Sequence, residues 1–482
     1  MSKFEPVRPK PLERRAGIKG MATQLLSNAL SLFIAGSYDF KGVSQHPVPR
    51  LPGQRPRVFF GARSPDHVRE VLVDRALAFP KARMMEAMLS EVTGYSIFVS
   101  NGPAWERHRR LMEPAFQQAR IQDVFQLMQD ATAAVIERLD AATGGGGARK
   151  GAEGVELAID AEMTHYAGDI IFRTIFSEPM TAADAHRIFS AFETFQRIAY
   201  AHGMVANLGV PMSILPGRRK ARACAREIRA VLKAKLDRRL ENIGRGEPVP
   251  SNDILASLLT TIDPLTGTRF DEGELLDQIA MLFLAGHETS AAALGWTLYL
   301  VANDAEVQSR LQAEIDAVAP DRPLGFSDLR ALSLTRNTFR EAMRLYPPVA
   351  FLTRDVDQAD SLGTQNVPAG SSVFVSLWLL QRHTAIWPDP HVFDPDRFDR
   401  REEREAIRSA YLPFSAGPRV CVGAAFALQE ATIVLAELFR RYTFTPVAGH
   451  TPEPVSRLTL RSENGIHLCV RPRRQARAHS EP

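Results

Sequence analysis

The stretch Phe414-Ser415-Ala416-Gly417-Pro418-Arg419-Val420-Cys421-Val422-Gly423 sets a turn-forming Gly-Pro pair just ahead of a cysteine. A helical pattern follows directly: from Ala427, the residues Leu428, Ala431, Val434, Leu435 and Leu438 fall on one face. Cys421 therefore sits at a helix N-terminus, where orphan amides and the positive end of the dipole favour a thiolate. Gly417 and Gly423 let the backbone turn tightly and lie close to a flat partner. Phe414 can pack over the sulfur, and Arg419 adds a cation two residues before it. Taken alone, a single cysteine is more often a buried structural residue. In this setting it is a candidate metal-bound thiolate with one face open.

The pattern Phe-x-x-Gly-x-Arg-x-Cys-x-Gly resembles the haem-binding signature of the cytochrome P-450 monooxygenases. The resemblance implies a mainly α fold with small β-sheets (α+β), in which a long central helix lies over haem b, iron protoporphyrin IX. Cys421 is then the iron ligand. Phe414, Arg419 and Gly423 are the residues of the same loop that contact the cofactor.

At 482 residues the length alone allows about three domains, but no linker divides the chain. The expected organisation is an N-terminal arm and short amphipathic segment over 1–40, then a single haem domain over 41–482. Hydrophobic residues at 45% and charged residues at 24% are ordinary for a globular protein. The net charge of +4 suits an acidic protein partner and, without interleaved aromatics, argues against nucleic acid. Cys224, Cys421 and Cys469 are far apart, as in a reducing compartment without a disulfide framework. A cytoplasmic location is expected.

The first twenty residues are basic and proline-bearing, and read as a mobile arm. Met21 to Gly36 is too short and too polar to span a bilayer. It reads as an amphipathic helix on the body, with a weak peripheral membrane contact as the other use. Arg57 to Phe60 reads as a strand, His67 to Ala76 as a helix, and Met84 to Val99 as apolar and irregular. Trp105 and Arg109 are four apart on one helical face. In the resembling family such a pair holds a haem propionate, while Arg107 and Arg110 are left for a basic docking face. Thr143 to Lys150, with four consecutive glycines, is a loop. Helices are expected around Ala161 to Phe176 and Ala182 to Ala199. His202 to Gly217 resembles a mobile lid.

From Asp271 to Ala302 the pattern is helical and free of proline, with Asp271 and Glu274 as a capping box. Such a helix would run roughly 48 Å. Its middle carries Ala285-Gly286-His287-Glu288-Thr289-Ser290. A mid-helix Gly costs about 1 kcal/mol against Ala, and the Thr289 hydroxyl can divert a helical carbonyl and open a groove. This resembles the family's Ala-Gly-x-Asp/Glu-Thr motif. The resemblance implies that dioxygen sits beside Gly286 while Glu288 and Thr289 relay protons.

Leu332 to Tyr346 reads as a helix stopped by Pro347-Pro348, with Glu341 and Arg344 one turn apart. It resembles the family's Glu-x-x-Arg motif, completed by Arg397 from Asp394-Pro395-Asp396-Arg397-Phe398. The implied role is structural, and loss of one partner would cost about 3–5 kcal/mol. Val349 to Arg354 resembles a pocket-lining segment, with Ala350, Phe351 and Leu352 toward substrate and Arg354 on a propionate. Ala285 and Leu458 join the pocket. Ser372 to Trp378, Leu468 to Val470 and Arg457 to Leu460 read as strands, and Arg471 to Arg477 as a disordered tail.

The implied activity is insertion of one atom of dioxygen into a small hydrophobic, lipid-like substrate, by hydroxylation or epoxidation. The segment Ala425 to Thr432 resembles fatty-acid-hydroxylating relatives. No flavin or iron–sulfur module is fused to the chain. Electrons would come from NAD(P)H through a separate ferredoxin- or flavodoxin-type protein. A peroxygenase or an isomerase on the same scaffold would not need the acid–alcohol pair. A haem sensor or carrier without turnover is the other alternative, and oxygen consumption with an electron donor discriminates it.

Overall fold

A computed structural model of the chain describes residues 4–13, 24, 28–47, 58–117, 122–144, 154–206, 215–320 and 322–473. Its frame is helical. Among the described residues, the helices longer than ten residues are α1 (Arg83–Thr93), α2 (Gly102–Met112), α3 (Phe125–Gly144), α4 (Ile159–Phe176), α5 (Ala182–Ala206), α6 (Arg218–Gly244), α7 (Glu272–Ala302), α8 (Ala305–Val318), α9 (Ser333–Leu345) and α10 (Ala424–Arg441).

The strands are β1 (Val43–Pro47), β2 (Val58–Ala62), β3 (Val155–Ala158), β4 (Phe351–Asp355), β5 (Asp360–Leu362), β6 (Gln365–Val367), β7 (Ser372–Ser376), β8 (Tyr442–Pro446), β9 (Pro454–Ser456), β10 (Leu460–Ser462) and β11 (His467–Pro472). They form a four-stranded sheet in the order β1-β2-β7-β4, with only β2 and β7 parallel. A three-stranded sheet β3-β11-β8 and the ribbons β5-β6 and β9-β10 complete the set. The expected α+β architecture is what folds.

The helix α7 decides where the site lies. Asp271 caps it by accepting from the Glu274 amide at 2.8 Å, and the Glu274 side chain returns a bond to the Asp271 amide at 3.0 Å. Its first half, Leu275 to Leu284, is buried in one apolar core with α1, α4, α5 and α6. Its second half, Ala293 to Ala302, is buried in another with α9, α10 and Tyr346. Trp296 stacks on Tyr346 there, with ring centroids 4.0 Å apart. The turn Ala285 to Ser290 bridges the two cores, so the helix is held at both ends while its middle borders a cavity.

Several local expectations change. Met84 to Val99 is irregular only beyond Thr93: Met84, Met88, Leu89 and Val92 are buried on one face of α1. Residues 4–13 are packed rather than mobile. Phe4 meets the Tyr299 ring at 6.3 Å, the Tyr346 hydroxyl donates to the Val7 carbonyl, and Leu12 bonds Phe33. Apolar and aromatic partners outweigh the basic charge there. Arg457 to Thr459 is the turn between β9 and β10, not a strand. Arg471 and Arg473 are ordered, the latter bonded to Asp316. Arg57, most of Met21 to Ser27, residues 145–150 of the glycine loop, residues 207–214 of the lid, and residues from 474 onward lie outside the described residues. Among the described residues no helix is long and apolar enough to cross a membrane.

Candidate active site

The cysteine loop is built by its own backbone. Ser415 and Gly417 both take positive φ, 64° and 70°, and the Cys421 amide donates to the Phe414 carbonyl at 2.9 Å. Gly417 is required for a different reason from the one its spacing suggests. A Cβ there would fall 2.0 Å from the Leu72 carbonyl, so the loop lies against backbone and not against a ligand. Gly423 does border the cavity, and a Cβ on it would meet only Phe116 at 3.9 Å. Gly423 is also the residue that opens α10.

Cys421 lies deep within the protein, yet its surface is open to the cavity. Burial pushes its thiol above the ordinary value, and the Gly423 amide and the Arg109 charge only partly offset this. The helix end alone therefore does not make the thiolate. A bound metal would. Among the described residues no three His, Cys, Asp or Glu side chains converge to hold a bare ion. Cys421 alone therefore offers one donor to the cavity.

That cavity measures about 1560 Å³, and Cys421, Phe414 and Gly423 lie in its wall. Also in the wall are Trp105 and Arg109 of α2, Arg419 of the cysteine loop, and Arg354 of β4. Arg109 donates to the Val420 carbonyl at 2.7 Å and to Glu113. Arg419 donates to the carbonyls of Ala76 and Phe79, and its guanidinium lies 5.3 Å from the Trp105 ring. Among the described residues the side chain of Arg354, 7% exposed, donates only to its neighbouring carbonyl on Thr353.

Lys81 is a fourth cation in this group. Its ammonium bonds the carbonyls of Ile97 and Ser100 and lies 5.6 Å from the Trp105 ring. Burial and the charges of Arg419, Arg354 and Arg109 push Lys81 down to about 6. Burial, then Arg419, pushes Arg354 down to about 10. No carboxylate among the described residues pairs with Lys81, Arg354 or Arg419, and the buried Nε atoms of Arg354 and Arg419 have no partner. Like charges gathered without counter-ions are costly unless an anion joins them. Nothing local marked Lys81, which follows Pro80 and stands two residues before the exposed Arg83.

Across the cavity, Thr289 donates its hydroxyl to the Ala285 carbonyl at 2.6 Å, as a diverted helical carbonyl requires. Gly286 packs against α4, where a Cβ would come within 2.9 Å of the Ile171 side chain. Close helix packing is thus what offsets its helical cost. Glu288 is 1% exposed and is bonded to Thr459 at 2.6 Å and to Arg461. Gly286, Glu288, Thr289 and the pocket candidates Ala285, Ala350, Phe351, Leu352 and Leu458 all border the same space. Residues separated by more than 350 positions in the chain thus share one chamber.

The structural network does not border it. Glu341 accepts from Arg344 Nε and Nη2 at 2.7 and 2.8 Å and from Arg397 Nε at 3.3 Å. A fourth member, Glu403, bonds Arg397 at 2.8 Å. The arginines also hold the carbonyls of Gln381, Pro388, Pro390 and Val392, which fixes the segment leading to the cysteine loop. Arg107 and Arg110 do not form a free basic face, because Glu274 and Asp263 neutralise them at 2.7 and 2.6 Å.

One long helix lies across the chamber, the cysteine loop faces it and small sheets stand to the side, the arrangement of a class of haem-dependent oxidoreductases. The chain belongs to the cytochrome P450 family, which it matches over residues 47–470. It is 29% identical over 406 residues to cyclooctatin synthase of Streptomyces melanosporofaciens, covering 84% of each chain. It is 33% identical to cyclooctat-9-en-7-ol 5-monooxygenase of the same organism, covering 80% of each. The fold superposes on the cytochrome P450DA haem domain with a TM-score of 0.76 at 24% identity, over 90% of both chains.

The chain is therefore a haem-dependent monooxygenase, an oxidoreductase that incorporates oxygen from dioxygen. The residues present fit haem. The unpaired guanidinium nitrogens of Arg354 and Arg419 suit its carboxylate arms, and the glycine-bordered apolar chamber suits its flat body.

Proposed function

We propose that this monooxygenase hydroxylates or epoxidises a lipid-like hydrophobic substrate, with electrons passed from NAD(P)H through a separate ferredoxin- or flavodoxin-type protein in the cytoplasm. The observation that carries the reading is the single chamber that joins the Thr289 turn to Cys421. Its substrate side is walled by apolar and methionine side chains such as Met84, Met88, Met204, Met281 and Phe351. Flexible thioethers adapt to irregular apolar shapes. The name of one relative from Streptomyces, cyclooctat-9-en-7-ol 5-monooxygenase, points the same way, to an unsaturated alcohol rather than a charged metabolite.

In this reading Cys421 would hold the haem iron through its sulfur. Trp105, Arg109, Arg354 and Arg419, with Lys81 beside them, hold the propionates by charge-assisted bonds. Bound haem supplies the oxygen-activating chemistry at its iron, and the rest is the work of the chain. Ala285, Ala350, Phe351, Leu352 and Leu458 orient the substrate and keep water away. Thr289 and Glu288 hold protons at the chamber wall, and the Glu341–Arg344–Arg397 network keeps the cysteine loop in place.

Spectral titration of the haem-loaded protein with terpenes, fatty acids and steroids tests the substrate class. Product analysis with a reconstituted electron donor follows for the compounds that bind. A terpene or fatty acid that shifts the spectrum and returns as an alcohol or epoxide supports the proposal. Turnover of charged metabolites alone overturns it.

A further inference from the structure

Away from the chamber, a second group of cations lies beside the N-terminal arm. Arg382 stands two residues after the short helix Leu377–Leu380 and is 1% exposed. Its guanidinium lies 3.4 Å from the centroid of the Trp378 ring, and its Nη2 donates to the Leu345 carbonyl. Its Nε and Nη1 are buried and have no partner among the described residues. The Trp378 indole donates to the Tyr38 hydroxyl at 3.0 Å, so that oxygen accepts and its own proton remains to be donated. The Tyr38 ring meets the His391 ring at 5.5 Å, and the buried Nδ1 of His391 has no described partner either.

The charge of this group is not balanced by protein. Arg344 is matched by Glu341, but among the described residues no carboxylate pairs with Arg382 or with Arg8 of the arm. Up to Phe60 the acids are Glu5, Glu13 and Asp39, and all three are exposed. Burial pushes Arg382 down to about 9, opposed by the phenols of Tyr38 and Tyr346 and assisted by the charges of Arg344 and Arg8. Burial, then Arg8, Arg382 and Arg344, pushes His391 down to about 3. Buried like charges are costly until an anion joins them. The donor set also separates an anion from water. Arg382, Tyr38 and a His391 with its proton on Nδ1 all offer hydrogens. A buried water needs acceptors for its own protons, whereas an anion needs donors alone.

We propose that Tyr38, Arg382 and His391, with Arg8 closing from the arm, bind one small inorganic monoanion of the halide class. One negative charge matches the buried guanidinium, while the half-buried Arg8 also meets solvent. The Trp378 and Tyr346 rings lie 3.4 and 5.7 Å from the Arg382 guanidinium, which favours a single atom over a branched oxyanion. The anion would fasten the arm to the chamber wall from behind. Tyr346 donates to Val7, the neighbour of Arg8, and Leu377 and Leu379, the neighbours of Trp378, border the chamber.

The test takes the haem-loaded protein in sodium gluconate and titrates chloride or bromide at constant ionic strength. The melting temperature and the haem absorption band are read, and a crystal grown in bromide is examined by anomalous diffraction. Expected are a saturable rise in melting temperature, an unmoved haem band and a bromide peak between Arg382 and Tyr38. Tyr38→Phe should raise the half-saturating concentration roughly tenfold, the worth of one hydrogen bond to a charged group. Arg8→Gln should shift it in the same direction, and Arg382→Gln should abolish the response. The first two variants carry the test if Arg382→Gln does not fold. Equal melting temperatures in gluconate and halide, with water alone between Arg382 and Tyr38, overturn the site. A response undiminished in the variants marks a general salt effect, and one that moves the haem band marks binding in the chamber; either overturns it. A bromide peak without a saturable response in solution marks an adventitious ion only and overturns it as well.

Discussion

Replacing Glu341 with Gln is the sharpest test of how the cysteine loop is held. The carboxylate is fully buried and accepts four hydrogen bonds, two from Arg344, one from Arg397 and one from the Asp394 amide at 3.1 Å. Glu341 and Glu403 together balance the two buried guanidiniums. The amide keeps the volume but removes the charge, leaving one positive charge uncompensated, at a cost of about 3–5 kcal/mol.

The control is Glu405→Gln, whose partner Arg408 is 79% exposed and whose loss should cost less than about 1 kcal/mol. Urea titration followed by tryptophan fluorescence reads the site directly, since Trp387 lies 5.2 Å from the Arg344 guanidinium and 5.9 Å from that of Arg397. Glu341 and Glu403 share Arg397, so Glu341→Gln and Glu403→Gln should be non-additive by about 0.5–3 kcal/mol. A Glu341→Gln loss no larger than that of Glu405→Gln would refute the view that charge balance anchors the loop.

Cys421→Ser should abolish the thiolate-type ferrous carbonyl spectrum of the haem-loaded protein, and retention of that spectrum would remove Cys421 as ligand. Thr289→Ala should keep haem while product per dioxygen falls, and undiminished coupling would remove Thr289 from proton delivery. His287 is sealed among Phe189, Phe192 and Phe283, and burial pushes it down to about 4, partly offset by Glu288. The unfolded chain therefore binds this proton first, so stability is full above about pH 6.5 and is lost as pH falls toward 4, by up to about 3 kcal/mol. His287→Phe should abolish that part of the acid loss in melting experiments. Glu430 is opposite in sign: burial pushes it up to about 8 despite a bond from Ser290, so its contribution is full below about pH 4.5 and lost as pH rises to 8. Glu430→Gln should flatten the stability profile across that range.

Reading and structure part at identifiable places. The pattern around Cys421, the capped helix over Asp271 to Ala302 and the pair Trp105 and Arg109 were legible because each is local. Turn residues, hydrophobic period and i,i+4 spacing act within a few residues of chain. Met84 to Thr93 was misread because its methionines do not announce a period as strongly as leucines do, although packing on α5 and α7 gives them one. Arg107 and Arg110 looked like free charge because Glu274 and Asp263 are more than 150 positions away.

The sequence by itself determined the cysteine loop, the helix that crosses the chamber and three of the four residues named in the buried ion network. Only the tertiary structure decided what those residues do to one another. It brought Lys81 beside three arginines, gave Arg397 a second carboxylate in Glu403, and turned Glu288 toward Thr459 and Arg461. The reason is physical. Backbone preference and periodicity are short-ranged, whereas charge balance and burial depend on distances that the chain sets only once it has closed on itself.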